Sequence, residues 1–297
     1  MKLKHLESAL SSVPTQMFPS PKITLEQYPT NAFLVASIMF TAMNKFGDVG
    51  PALSVCDLGC GTGMLGIGAA LMECDHVIMV DCDVDAITVA QENIREMELE
   101  DTMDFVLAKV NYNGGGGGGG DGNEESSSSR QQQSQRGGRG KGHKRGGRGR
   151  GRSGGRGRSY NESIKSTPAS ASLCDATNDG IPLKSKCIDT VFTNPPFGTK
   201  HNAGIDVQFL YTATRLARRA VYSFHKSSTR DYLVKKCRDE WNLDVQVVAK
   251  MQFDIPNMYK FHTKKSVDVE VDLIRVSWPE TKIDKHFNAN DDDGGGD

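Results

Sequence analysis

The chain has 297 residues, 37% of them hydrophobic, and a formal net charge of −1. No apolar run approaches a membrane span and the opening MKLKHLESAL lacks the apolar core of a signal peptide, so neither a membrane-embedded nor a secreted protein is expected. The near-zero charge conceals an asymmetry, because residues 113–170 hold 12 Lys/Arg against four acids and the remainder is left at −9. An acidic body with a basic arm points to a polyanionic partner gripped mainly by the arm. The seven cysteines are odd in number and show no CxxC spacing. They read as reduced thiols of a reducing compartment, with no disulfide framework and no metal site expected.

Leu3–Leu10 has mild helical character. Leu25–Thr30 (LEQYPT) contains Pro29 and reads as an extended or turn element, after which Asn31 is placed to cap a helix over Ala32–Met43. The pattern then alternates. Leu53–Leu58 is a short apolar strand ending in glycines, Met64–Met72 a helix, Val77–Val80 a strand ending at Asp81, Val84–Met97 an amphipathic helix and Met103–Val110 a strand. Beyond residue 170 the order is a strand at Cys187–Thr193, a helix at Val207–Ala217, a strand at Ala220–Phe224 and a helix at Thr229–Trp241. Two long strands close the series, Leu243–Phe253 and Val267–Trp278. Strands separated by helices imply right-handed crossovers and a Rossmann-like, doubly wound, mostly parallel α/β sheet. The last two strands, joined only by a loop, predict a terminal antiparallel pair at its edge.

Between the two halves lie a glycine run (Gly114–Gly120), a Ser/Gln-rich stretch (Ser126–Gln135) and an Arg-Gly tract (Arg136–Arg158). This composition cannot bury enough apolar area to offset ordering entropy. Loop closure costs only logarithmically in length, so one fold can carry it as an insertion. The expected organisation is one domain over 1–112 and 171–280, a disordered Gly/Ser/RGG-rich insertion at 113–170 and an acidic tail at 281–297.

Two motifs carry chemistry. Asp57-Leu58-Gly59-Cys60-Gly61-Thr62-Gly63 ends the first strand and opens a helix, and the second strand ends at Asp81. Glycines allow a sharp turn and close approach of a ligand to the backbone, and a carboxylate at Asp81 is placed to accept both hydroxyls of a ribose. This points to a nucleoside-type cofactor, with NAD and S-adenosylmethionine both open. Asn194-Pro195-Pro196-Phe197 follows the strand Cys187–Thr193 and decides between them. The Asn194 side-chain oxygen and the Pro195 carbonyl each accept one N–H of a planar amine, which aims the nitrogen lone pair at a sulfonium methyl. Phe197 offers a stacking face for a flipped base, and Pro195 and Pro196 stiffen the loop beforehand.

These two motifs resemble those of the class I methyltransferases that act on planar amines. With Leu25–Thr30 (LEQYPT), Asn194–Lys200 (NPPFGTK), His225–Arg230 (HKSSTR) and Tyr259–Leu273 (YKFHTKKSVDVEVDL), the chain is similar to the methyltransferase-like protein 5 family over residues 1–112 and about 181–278. The resemblance implies methylation of adenine N6 at one site of small-subunit (18S) ribosomal RNA, with S-adenosyl-L-methionine as cofactor. It implies that Gln27 and Thr30 close over the methionine end, that Gly59, Gly61, Thr62, Gly63 and Met64 line the pocket, and that Asp81 holds the ribose. Asp57 would partner the cofactor ammonium, directly or through water, and Asn194, Pro195, Pro196 and Phe197 would hold the adenine. It further implies a heterodimer with a small zinc-binding activator subunit, and residence in cytoplasm and nucleus, the nucleolus included. Where such folds often place an acid for the cofactor adenine, this chain has Lys109, which can only donate.

Other readings stay open at this point: a methyltransferase for protein glutamine or another amine, or an inactive methyltransferase fold that binds RNA. The Arg-Gly tract reads as a salt-sensitive RNA contact or a solubilising spacer. Lys260–Lys265 reads as an RNA contact or a solvated loop, and His262 as a structural hydrogen-bonding group. His225 and Lys226 are placed either to touch substrate or to cap the following helix.

Overall fold

A computed structural model describes residues 1–28, 30–111, 179–198, 203–256 and 266–279, all in one unit assembled from both sides of residues 115–171. The expected insertion (113–170), the acidic tail (281–297), Pro29, Thr199, Lys200 and the patch Lys260–Lys265 with His262 lie outside the described residues. No described helix is long and apolar enough to cross a membrane.

The elements are α1 (Leu3–Ser11), α2 (Ala32–Thr41), β1 (Ser54–Leu58), α3 (Met64–Leu71), β2 (His76–Asp81), α4 (Val84–Glu96) and β3 (Met103–Leu107), then β4 (Ile188–Thr193), α5 (Ile205–Leu216), β5 (Ala217–Lys226), α6 (Arg230–Lys235), β6 (Asp244–Pro256) and β7 (Ser266–Ser277). Asn31 caps α2 as its residue type predicts, its Oδ1 accepting from Leu34 N at 2.8 Å. The seven strands form one sheet in the order β3-β2-β1-β4-β5-β7-β6, parallel from β3 to β5 and antiparallel where β7 meets β5 and β6.

The terminal antiparallel pair is present, but its edge is β6 and not the last strand. β6 lies two places from β5, and β7 turns back to fill the place between them. The side chains explain the choice. Val271, Leu273, Ile274 and Val276 of β7 are all buried, two on each face of the sheet, whereas the outward half of β6 is exposed or half-buried. A strand apolar on both faces belongs inside a sheet.

One face of the sheet is covered by α1 to α4 through Leu6, Leu10, Val35, Met39, Ile67 and Ile94. The other is covered by α5 and α6 through Leu210, Ala213, Leu216 and Leu233. The helices change face where the order reverses, between β1 and β4. In doubly wound sheets this is where ligands bind. β1 and β4 are direct neighbours in register, Asp57 beside Phe192, so the loops that follow them emerge side by side.

The main chain on either side of the insertion meets beyond β3. Asn111 N donates to the Asp179 carbonyl at 2.8 Å, and Arg215 holds the Asp179 carboxylate with Nε and Nη2 at 2.5 and 3.0 Å. Gly180 packs against the Lys109 carbonyl so closely that a Cβ has no room. With its two ends already fastened, the core can accept an intervening segment of any length at small cost.

Candidate active site

The glycine-rich loop after β1 is built around two aspartates. Gly59, Gly61 and Gly63 have φ of 78, 56 and 90°, conformations that other residues adopt only under strain. The N–H groups of Gly59 and Cys60 both donate to the Val80 carbonyl at 2.8 and 3.0 Å, and Gly61 N donates to Asp81 Oδ2 at 2.9 Å. The glycines therefore give a ligand close approach rather than a row of free donors. The second Asp81 oxygen accepts from Asp83 N at 2.9 Å, so the carboxylate sits fixed at the end of β2 with lone pairs left for a ribose. Burial raises the Asp81 carboxyl above its ordinary range, against the three main-chain N–H groups that lower it.

Asp57 is completely buried. Its Oδ2 accepts from Gly66 N at 2.9 Å in the first turn of α3, while Oδ1 has no partner among the described residues. Burial pushes this carboxyl up to about 7, with the Gly66 hydrogen bond opposing and Asp81 reinforcing the shift.

Residues 15–28 and Thr30 run across the mouth of this loop as a lid. Asn93, buried on α4, anchors its start by pairing with both main-chain groups of Thr15 (2.9 and 2.8 Å) and with the Thr62 carbonyl (2.9 Å). Thr62 Oγ1 donates to the Gln16 carbonyl. Asp83 anchors the middle, accepting from Lys22 Nζ at 2.5 Å and from Gln27 Nε2 at 2.7 Å. Those partners hold the Asp83 carboxyl below its ordinary range even though burial opposes them. The lid side chain Phe18 lies over Gly61 at a distance where a Cβ would be 2.9 Å from the ring.

The Asn194–Phe197 loop follows β4, whose end is tied to β1 by Thr193 Oγ1 donating to the Leu58 carbonyl at 2.7 Å. Asn194 Nδ2 donates to Thr30 Oγ1 in the lid at 3.1 Å, which leaves Oδ1 as its acceptor. Phe197 N donates to Glu26 Oε2, also in the lid, at 2.8 Å.

A cavity of about 330 Å³ lies between lid, glycine loop and Asn194 loop. Gln27, Thr30, Gly59, Gly61, Thr62, Met64, Asp81, Asn194, Pro196 and Lys109 all line it, together with Phe18, Glu26, Cys82 and Phe209. Asp57, Gly63, Pro195 and Phe197 are not among the lining residues. Asp57 stands one layer beneath, and Gly63 faces Met79, Ala90 and Ile67 in the core. Pro195 is buried, and the half-buried Phe197 ring meets Phe253 edge-on at 6.4 Å. The side chains of Gln27 and Thr30 bond within the protein, so what they bring to the cavity is its closure.

His225 neither touches the cavity nor caps a helix. It is buried, with Nδ1 3.0 Å from Asp206 Oδ2 and Nε2 2.8 Å from Ser223 Oγ, tying the first turn of α5 to β5. A Ser-His-Asp arrangement sealed from solvent has no path to a substrate and serves packing. The sequence reading did not single out Glu26, Asp83 and Asn93. Asn93 leaves a signal, a polar residue on the apolar face of α4 beside Ala90 and Ile94. Asp83 leaves another, an acid two residues past the strand-terminal Asp81.

The comparisons with known proteins agree with this geometry. Residues 37–114 match the family model of the ribosomal protein L11 methyltransferase (PrmA). Over 277 residues the chain is 37% identical to the rRNA N(6)-adenosine-methyltransferase METTL5 of Danio rerio, covering 93% of this chain and 99% of the relative. It is 35% identical to its Drosophila melanogaster counterpart, covering 93% and 96%. The chain belongs to the METTL5 family of methyltransferases. A solved structure from Pyrococcus horikoshii, provisionally assigned as an RNA methyltransferase, shares the fold with a TM-score of 0.59, at 24% identity over 94% of this chain and 98% of that one.

The cofactor of this methyltransferase fold and family is S-adenosylmethionine. The residues present fit it. Asp81 offers acceptors to a ribose, the glycine loop admits a ligand against the backbone, and Asp57 Oδ1, buried and unpartnered just beneath, suits a positive group nearby.

Proposed function

We propose that this chain methylates the exocyclic N6 of an adenine in RNA, the substrate being small-subunit (18S) ribosomal RNA. The observation that carries the reading is the orientation of Asn194 at the cavity rim. With Nδ2 held by Thr30, Oδ1 remains to accept one N–H of a planar amine. The Pro195 carbonyl takes the other N–H, and the exposed part of the Phe197 ring stacks on the base. The bound cofactor supplies an electrophilic methyl on sulfur. Asn194 and Pro195 aim the amine nitrogen at it, the lid and Phe209 exclude water, and Asp81 holds the nucleoside end. No strong base is needed, since the methylated amine is acidic enough to lose its proton to water.

The Arg-Gly tract at 136–158 adds phosphate contacts of low sequence preference. A small zinc-binding activator subunit is the partner we assign, and cytoplasm and nucleus, with the nucleolus, the place of action. The names of the relatives support the RNA substrate, and the basic arm on an acidic body supports a polyanion.

The test is single-turnover transfer of labelled methyl to a saturating small-subunit rRNA fragment, followed by nucleoside analysis. Asn194→Ala should bind S-adenosylmethionine nearly as the parent does yet lose transfer about a hundredfold, because misplacing the nitrogen destroys near-attack geometry. Deleting residues 136–158 should leave the single-turnover rate intact and flatten the salt dependence of RNA binding. An Asn194→Ala enzyme forming N6-methyladenosine at the parental rate overturns the mechanism, and label found in protein glutamine instead of RNA overturns the substrate.

A further inference from the structure

The two prolines of Asn194-Pro195-Pro196-Phe197 have no amide hydrogen. After Asn194, the first main-chain donor by which the loop can be fastened is therefore Phe197 N. In the structure that donor is taken by Glu26 Oε2 at 2.8 Å, from the lid on the other side of the cavity. Glu26 does this from a left-handed conformation with φ of 49°, sparsely populated by a glutamate and kept only where the surroundings enforce it. Strain, a hydrogen bond to the acceptor loop and a place in the cavity wall coincide in one residue of the Leu25–Thr30 segment to which no role was assigned above.

We propose that Glu26 is a positioning residue for methyl transfer, setting the Asn-Pro-Pro-Phe loop through the Phe197 amide. All peptide bonds described are trans. The Phe197 N–H and the Pro196 carbonyl therefore point in opposite directions across one rigid plane. Fixing the N–H fixes that plane, and through the stiff Pro195–Pro196 pair it fixes the Pro195 carbonyl assigned above to the target amine. The Thr30 hydroxyl does the same for the Asn194 side chain. Both acceptors of the amine are thus set from the lid, and the acceptor half of the site is complete only with Glu26 and Thr30 in place. This inference rests on the assignment of Asn194–Phe197 as the amine-binding loop.

The test compares Glu26→Gln, Glu26→Gly and Asn194→Ala in the full chain. Glu26→Gln keeps an acceptor oxygen and should retain kcat within about threefold. Glu26→Gly removes the acceptor but relieves the left-handed strain, and its folding is checked by urea unfolding beside the parent. Its kcat at saturating cofactor and RNA should fall on the order of 10- to 100-fold, with KM for RNA and the Kd for S-adenosylmethionine within about threefold of the parent. Hydrogen exchange of the Phe197 amide should quicken in Glu26→Gly and not in Glu26→Gln, a readout independent of turnover. A Glu26→Gly enzyme with parental kcat while Asn194→Ala is inactive sinks the role of Glu26 and leaves the amine-binding loop standing. A deficit cured by raising cofactor concentration makes Glu26 a lid residue only and also overturns the proposal. Parental rates in both Glu26→Gly and Asn194→Ala overturn the assignment of the loop itself.

Discussion

Replacing Asp57 by Asn should remove one large pH-dependent contribution to the stability of the cofactor-free protein. Asp57 has no exposed surface, one oxygen bonded to Gly66 N and one with no partner among the described residues. Its carboxyl is pushed from 3.8 up to about 7, chiefly by burial. The unfolded chain ionises this group near 3.8, so between that pH and about 7 the folded state holds a proton that the unfolded state has lost. Linkage then gives the sign. The group's contribution is fully present below the unfolded value, falls as pH rises and levels off above about pH 7. The slope inside the window is about 1.4 kcal/mol per pH unit, so from about pH 5 to pH 8 the parent should lose on the order of 2 to 3 kcal/mol on this account alone. Asn keeps an acceptor for Gly66 and cannot ionise. Urea unfolding of both proteins at the two pH values gives the double difference, in which other titrating groups cancel except those coupled to Asp57, Asp81 foremost. The variant should gain about 2 to 3 kcal/mol on the parent from about pH 5 to pH 8. A cofactor ammonium near Oδ1 would favour the ionised form, so S-adenosylmethionine should shrink this difference. An equal stability gap at both pH values would refute the reasoning.

Asp81→Ala should weaken S-adenosylmethionine binding by about 1 to 3 kcal/mol in calorimetry, the penalty for lost hydrogen bonds to a charged group, and unchanged binding would remove Asp81 from the ribose site. Lys109 lines the same cavity beside Asp81, whose carbonyl accepts from Ala108 N at 2.9 Å. Lys109→Asp should therefore tighten binding if it faces the cofactor adenine, whereas weaker binding would give the lysine another contact. Gly66→Ala should lower the free energy of unfolding by about 1 to 3 kcal/mol, read as a lower midpoint in urea, because its Cβ would stand against the Met79 sulfur inside van der Waals distance. A parental midpoint would mean that Met79 moves aside freely.

Most of the secondary structure could be read from local pattern, because apolar periodicity and strand-terminal glycines follow from the backbone geometry of each segment alone. The helix at Val84–Met97 and the strand ending at Asp81 appear within a residue of expectation, as α4 and β2. Sequence also marked the two loops that the structure brings to one cavity, since a glycine loop opening a helix and an Asn-Pro-Pro-Phe turn each stand out by residue type. Adjacency could not be read there. The loops after β1 and β4 emerge side by side because the sheet order reverses between those strands, and that order depends on which strands are apolar on both faces once the whole sheet forms. The same competition put β7 inside and β6 at the edge. The family resemblance points to Gln27 and Thr30 in the lid, but the lid's bonding partners were beyond local reading. Glu26, Lys22 and Gln27 are ordinary polar residues of a short turn, and become parts of the site only through Phe197 and Asp83, which lie 171 residues from Glu26 and 61 from Lys22 along the chain. Local sequence sets what a residue can donate or accept, and only the tertiary structure decides which partner, desolvated beside it, receives the bond.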